Sequence, residues 1–196
     1  MANPSEKSVS TNALHEQVVQ SLLEAISLRD METVGHHMRV ADLAFQLGKA
    51  MHLTNQQLID LRYGAILHDV GKLGVPDSIL FKPGALTEHE YNLVKRHATM
   101  GANILRHIQF LQGALVVAES HHERWDGDGY PLGLKGEEIP LLARVVAVAG
   151  TYDALTSTRF YRPAWTREVT LQYLEEQSGK AFDPKIVEVF LRLMQT

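Results

Sequence analysis

The sequence predicts an all-α domain with two long ordered loops. Three observations carry that expectation. Apolar residues recur at helical spacing along most of the chain. The one strand-like run, VVAVA at 145–149, has no partner strand, so it too reads as helix. Glycine and proline gather in two stretches, 71–87 and 125–140, which have no periodicity of their own.

The elements follow in order. Residues 1–11 are polar and read as a flexible tail, and 12–196 as one domain. From Asn12, Leu14, Val18, Leu22 and Ile26 recur every four residues and form one apolar stripe. A second helical pattern runs from about Met31 to Met51 through Met38, Val40, Ala41, Leu43, Ala44 and Leu47. Thr54-Asn55-Gln56-Gln57 and Thr87-Glu88-His89-Glu90 have the form of capping boxes, in which a Thr hydroxyl and a Gln or Glu three residues later satisfy each other's amides. The first opens a helix through Leu58, Leu61, Ile66 and Leu67. The second opens one carrying Tyr91, Val94, Ile104 and Leu105, with a break expected near Gly101. A short apolar helix covers Gln112–His121. Asp183-Pro184 supplies an N-cap and a first-turn proline to the last helix, KIVEVFLRLM.

Composition narrows the function classes. The chain has 196 residues, 45% hydrophobic and 21% charged, an ordinary globular mixture. Its net charge of -4 advertises neither a nucleic-acid polymer nor a membrane surface as partner, so an anionic substrate would need local cations. The absence of cysteine excludes disulfides, zinc–thiolate sites and thiol nucleophiles. No apolar signal core or membrane-length run is present, and the expected location is cytoplasmic.

Ten histidines are the one compositional bias, and their placement matters more than their number. His68-Asp69 ends the helix entering the first loop, His97 lies on the helix after it, and His121-His122 ends the helix entering the second loop. His36 follows Glu32 by four residues, on one helix face. Neighbours on a regular helix diverge by about 100°, but at a helix end the backbone bends and they can converge. Imidazoles and carboxylates suit Zn, Fe, Mn or similar ions. His15, His37, His52, His89 and His107 read as solvated or core residues.

The runs HDVGKLGVPDSILFKPGALTEHE (68–90), HHERWDGDGYPLGLKGEEIPLLARVVAVA (121–149) and DALTSTRFYR (153–162) resemble the HD-GYP domain, the branch of the HD phosphohydrolase superfamily associated with hydrolysis of the bacterial messenger cyclic di-GMP. The resemblance covers roughly 12–196. It implies an HD-domain helical bundle in which the two loops roof a centre of two or three divalent ions. It implies the metal ligands Glu32, His36, His68, Asp69, His97, His121 and His122, with Asp69 bridging. It implies a catalytic pair, Asp69 and Lys72, the lysine reaching toward the scissile phosphate. It also implies substrate contacts from Tyr130 of the Gly129-Tyr130-Pro131 run and from Arg159 and Arg162, the cations that the net charge does not supply. The partner is a cyclic dinucleotide, and a homodimer or a signalling-protein partner is left open. Such domains usually follow a receiver or sensor, for which residues 1–11 are too short, so the chain reads as a stand-alone output domain or an excised piece. Phosphodiester hydrolysis needs a nucleophile at neutral pH and neutralisation of phosphoryl charge, and a pair of metal ions about 3.5–4 Å apart supplies both.

One position departs from the resemblance. Where HD-GYP domains typically carry an aspartate after ARVVAVA, this chain has Gly150, which offers no ligand. Asp153 follows one turn later, displaced by about 4.5 Å along the axis, and reads as a supporting group rather than a substitute. The ion of His36, His68 and Asp69 is therefore expected to be the weaker one, and that of Asp69, His97, His121 and His122 the stronger. Three readings stand side by side at this stage: an active site completed by water, a catalytically impaired cyclic di-GMP-binding or protein-interaction module, and an introduced Asp-to-Gly change.

Overall fold

A computed structural model describes the backbone of residues 4–29, 34–158 and 163–195. Glu32, Arg159 and Arg162 lie outside the described residues. The described part is helical: α1 (Pro4–Ser27), α2 (Val34–Ala50), α3 (Asn55–Leu67), α4 (Asp77–Leu80), α5 (Glu88–Lys95), α6 (His97–Leu105), α7 (Gln112–Ser120), α8 (Leu141–Thr156), α9 (Arg167–Glu176) and α10 (Pro184–Leu193). Short 3-10 turns occupy Val70–Gly74, Gln109–Leu111 and Gly136–Glu138. No strand forms among the described residues, and the VVAVA run lies within α8, as expected.

Both capping boxes are present. The Thr54 and Thr87 hydroxyls accept from the amides of Gln57 and Glu90, and those side chains accept from the threonine amides in return. Lys82 reaches across the first loop to Glu90, 2.6 Å from its carboxylate, and ties the loop to the start of α5. Asp183 caps α10 through the Lys185 amide and pairs with Arg144 of α8 at 2.5 Å, which clips the two helices together.

Three element boundaries differ from the sequence expectation. Helix α1 begins at Pro4, ahead of the expected start at Asn12; a proline is tolerated in a first turn, and no breaker follows it. The break between α5 and α6 falls at Arg96, not near Gly101. Gly101 continues α6 because its backbone packs against Gly71 in the 3-10 turn. A Cβ on Gly71 would stand 1.8 Å from the His97 carbonyl oxygen and 2.4 Å from the Gly101 nitrogen. Helix α9 has no counterpart in the sequence reading; its one clear signal is the N-cap Thr166, whose hydroxyl accepts from the Val169 amide.

Helix α3 runs through the middle. It packs on α2, α7 and α8, and Tyr63 to Leu67 are buried without interruption, so it is apolar on every side at that end. Leu61, Leu67, Leu105 and Leu111 are fully buried, each worth roughly 1.5–3 kcal/mol relative to exposure. The consequence for the site is positional. The C-terminal end of α3 delivers His68 and Asp69 into the interior, with α2 and α8 on one side and α6 and α7 on the other.

Candidate metal centre

Asp69 is the hub. It is 4% exposed, immediately after the C-cap His68 and at the start of the 3-10 turn, where the backbone leaves the helical path. Its two carboxylate oxygens face different partners. Oδ1 stands 3.3 Å from His97 Nε2 and 3.7 Å from His121 Nε2. Oδ2 stands 3.2 Å from His68 Nε2 and 2.8 Å from the Lys72 ammonium. Burial alone would raise the Asp69 pKa. Lys72 foremost outweighs it and holds the carboxyl well below its usual range.

The histidines are aimed from behind. The Nδ1 of His68 lies 2.7 Å from the Ala65 carbonyl, that of His97 lies 2.7 Å from the Val94 carbonyl, and that of His121 lies 3.1 Å from the carbonyls of Val117 and Ala118. A carbonyl only accepts, so each Nδ1 carries the proton and each Nε2 presents a lone pair. This is the arrangement that fixes tautomer and ring direction in metal-binding histidines. His36 uses a side chain instead: its Nδ1 lies 2.6 Å from Asp153 Oδ2. Asp153 is held in turn by Arg39, through Nε at 2.5 Å and Nη2 at 3.0 Å. Asp153 therefore takes the supporting place expected of it. Burial would raise its pKa, but the hydrogen bonds from His36 and Arg39 lower it.

One ligand atom from each of Asp69, His97, His121 and His122 lies within 4.8 Å of the others. Burial lowers the pKa of His121 to about 4, against an attraction to Asp69, and lowers that of His122 well below its ordinary value. Both rings are neutral at neutral pH and able to ligate. His97 Nε2 and His121 Nε2 are 3.4 Å apart and both face Asp69 Oδ1. Lone pairs so aimed at one another and at a carboxylate repel unless a positive charge sits among them. That donor set fits a divalent ion. His36 and His68 continue the array, with ring centroids 5.7 Å apart, and His68 lies 5.0 Å from His121.

The second loop forms the roof. Tyr130 stacks on His122 with centroids 4.7 Å apart and planes 25° from parallel, and the Lys95 ammonium lies 5.6 Å from the Tyr130 centroid. The loop is held by a residue that the sequence reading missed. Glu123 is buried, and its two carboxylate oxygens accept from the amides of Leu132 at 2.7 Å and Leu134 at 3.0 Å. Gly129 lets the loop fold back on its own start, because a Cβ there would stand 2.3 Å from the Arg124 nitrogen. The expected site residues His36, His68, Asp69, Lys72, His97, His121, His122 and Tyr130 thus come together. Of the residues read as non-ligands, His37 is fully buried behind His68, and His52, His89 and His107 are exposed.

Similarity to known proteins agrees with this geometry. The family model for the HD domain matches residues 20–186. The chain belongs to the HD domain family. Within it, the HD pair at 68–69 and the GYP run at 129–131 place the chain in the HD-GYP branch. It is 44% identical over 178 residues to "Cyclic di-GMP phosphodiesterase response regulator RpfG" of Xanthomonas campestris, covering 90% of this chain and 47% of that protein. It is 40% identical over 185 residues to a "Cyclic di-GMP phosphodiesterase" of Thermotoga maritima, covering 91% and 50%. It is 38% identical over 178 residues to "3'3'-cGAMP-specific phosphodiesterase 2" of Vibrio cholerae, covering 90% and 34%. This HD domain spans about half or less of the length of these relatives. Among solved structures, the fold matches the Bdellovibrio bacteriovorus protein Bd1817, described as an HDG"Y"P protein, with a TM-score of 0.67 at 22% identity over 89% of this chain and 57% of that one. It also matches the HD domain of a Listeria monocytogenes phosphodiesterase in complex with cyclic di-AMP, with a TM-score of 0.61 at 19% identity over 87% and 91%. No helix among the described residues is long and apolar enough to cross a membrane.

Proposed function

We propose that this HD domain is a metal-dependent phosphodiesterase that hydrolyses cyclic di-GMP to the linear dinucleotide or GMP in bacterial second-messenger signalling. The observation that carries the proposal is the buried carboxylate of Asp69, faced by imidazole nitrogens whose opposite ring nitrogens are tied to backbone carbonyls. The names of the relatives support the substrate class.

Divalent ions held by Asp69 and the histidines would supply a water of lowered pKa and neutralise charge developing on the phosphoryl group. The rest is the work of the chain's own side chains. Lys72, half-buried against Asp69 Oδ2, directs its ammonium to the carboxylate at the hub and adds positive charge where the phosphoryl oxygens gather charge. Tyr130, fixed on the His122 face, offers an aromatic surface at the mouth of the site to a guanine or ribose. Burial raises its phenol pKa, so it stays neutral and can donate to a phosphate oxygen. Arg159 and Arg162 are assigned to the outer phosphates from the sequence resemblance alone, as Glu32 is to the metal centre.

The purified protein should hydrolyse cyclic di-GMP with Mn(II) or Fe(II), and His97→Ala should lose both bound metal and turnover while keeping its helical circular dichroism. Unchanged metal content in His97→Ala would overturn the ligand assignment. Gly150 favours one second reading, a cyclic di-GMP-binding module with little turnover. Tight binding of the dinucleotide with no product from the metal-loaded protein would select it.

A further inference from the structure

An aromatic ladder leads outward from the metal centre along the roof of the site. Tyr130 stacks on His122, with centroids 4.7 Å apart. The Lys95 ammonium lies 5.6 Å from the Tyr130 centroid and 4.8 Å from that of Tyr91. Tyr91 stands one turn before Lys95 on α5 and is 47% exposed. Lys95 thus bridges two separate segments, α5 and the second loop. A solvated i, i+4 helix pair accounts for its contact with Tyr91 but not for its reach to Tyr130, which sets the ammonium at the mouth of the site.

Lys95 also differs from other cations of the two loops. Lys82 is paired with Glu90, and Arg124 with Asp126. Among the described residues, the Lys95 ammonium meets two ring faces and no carboxylate. Ring faces hold the charge in place, and its three N–H donors stay able to serve a stronger acceptor. The two parts of the ladder suit the two parts of a nucleobase. Aromatic rings take any base, because every base has a π-face. An ammonium reads the edge. Guanine presents two neighbouring acceptors, O6 and N7, and a lysine donates to both. Adenine presents N7 beside an amino group, where donor meets donor. We propose that Tyr91, Lys95 and Tyr130 form a base subsite, in which the two rings pack a purine and Lys95 selects guanine over adenine. The inference deepens the phosphodiesterase reading and rests on it for the presence of a cyclic dinucleotide at this mouth.

The test compares two dinucleotides that differ only in the base. Kd for cyclic di-GMP and for cyclic di-AMP is measured by isothermal titration calorimetry on the wild-type protein, Lys95→Met, Lys95→Arg and Tyr91→Ala, with Ca(II) in place of Mn(II) to slow turnover. The wild type should prefer cyclic di-GMP by at least about tenfold, the discrimination of one cation–guanine contact. Lys95→Met should remove most of that preference, and Lys95→Arg should keep it, since a guanidinium donates to the same two atoms. Tyr91→Ala should weaken both dinucleotides alike, by about fivefold or more, because stacking discriminates little between bases. A wild type without preference, or a Lys95→Met variant that weakens both dinucleotides equally, would overturn the selection of guanine. Undiminished binding in Tyr91→Ala would overturn the platform. Product assays with Mn(II) keep this inference apart from the reading beneath it. A lysine-dependent preference in a protein that forms no product supports the subsite and removes the phosphodiesterase, whereas binding of neither dinucleotide overturns both.

Discussion

His121 shows at the scale of one residue how the site is prepared before any ion binds. Its ring is buried, its Nδ1 is spent on two carbonyls, and its pKa falls to about 4. An unfolded histidine titrates near 6.5. Between those values the unfolded chain binds more protons than the folded one, so stability rises with pH across this window and is lost as pH falls through it. The metal-free protein should therefore lose up to about 3 kcal/mol from this residue alone between pH 6.5 and 4. Urea denaturation at a series of pH values checks this, and His121→Gln should flatten the dependence. At this scale the convergence of the candidate ligands was legible in the sequence, because His68-Asp69 and His121-His122 stood at helix ends flanking loops. It was poorly legible for their supports. Glu123 acts on amides nine and eleven residues ahead, a distance with no periodic signature. Asp153 was readable as a support, but its partners His36 and Arg39 lie more than a hundred residues away in sequence.

At the scale of elements, the contact between the 3-10 turn and α6 fixes Asp69 and His97 relative to one another. Gly71 lies two residues after Asp69, and its backbone touches the first turn of α6, which begins with His97. Gly71→Ala would drive a methyl group into the His97 carbonyl, which is backbone and cannot rotate away. The expected cost is at least about 2 kcal/mol, as for other overpacked interiors, with weakened metal retention because His97 and Asp69 are pushed apart. A lowered denaturation midpoint together with a reduced metal content checks it. An equal midpoint would mean that the turn yields. This contact also explains the misplaced break. Glycine inside a helical pattern suggests an interruption, whereas Gly101 is there to admit the neighbouring backbone, and the chain bends at Arg96 instead. Capping boxes were read correctly because each is a local exchange over four residues. Helix α9 was missed because only Thr170 and Leu174 of its residues are buried, too few for an apolar stripe.

The whole molecule is a helical shell closed around a polar centre. Seven of its buried polar or charged residues, His36, His37, His68, Asp69, His97, His121 and Asp153, belong to that centre or touch it. A fold with this much polarity inside gains stability from whatever ion it binds. At a free metal concentration about a hundredfold above Kd, binding adds about 2.7 kcal/mol. For a chain of this size that corresponds to a rise in Tm of roughly 5–10 °C. Differential scanning fluorimetry with Mn(II) and after chelation should show it, and a Tm indifferent to chelation would mean that the centre is not a binding site. The all-α class and the two roofing loops were legible as a whole because helical period and glycine clustering are global signals. The packing of α3 among α2, α7 and α8 was not, since nothing local states which apolar faces meet.

The way the imidazoles are held divides the site by its tolerance of mutation. His68, His97 and His121 are steered by main-chain carbonyls three or four residues earlier on the same chain. No change of side chain removes those atoms, so the neighbouring positions can drift while the rings keep their aim. His36 is steered by Asp153, a group that a single substitution deletes. A single substitution at position 153 can therefore loosen the His36 side of the site without disturbing the other side.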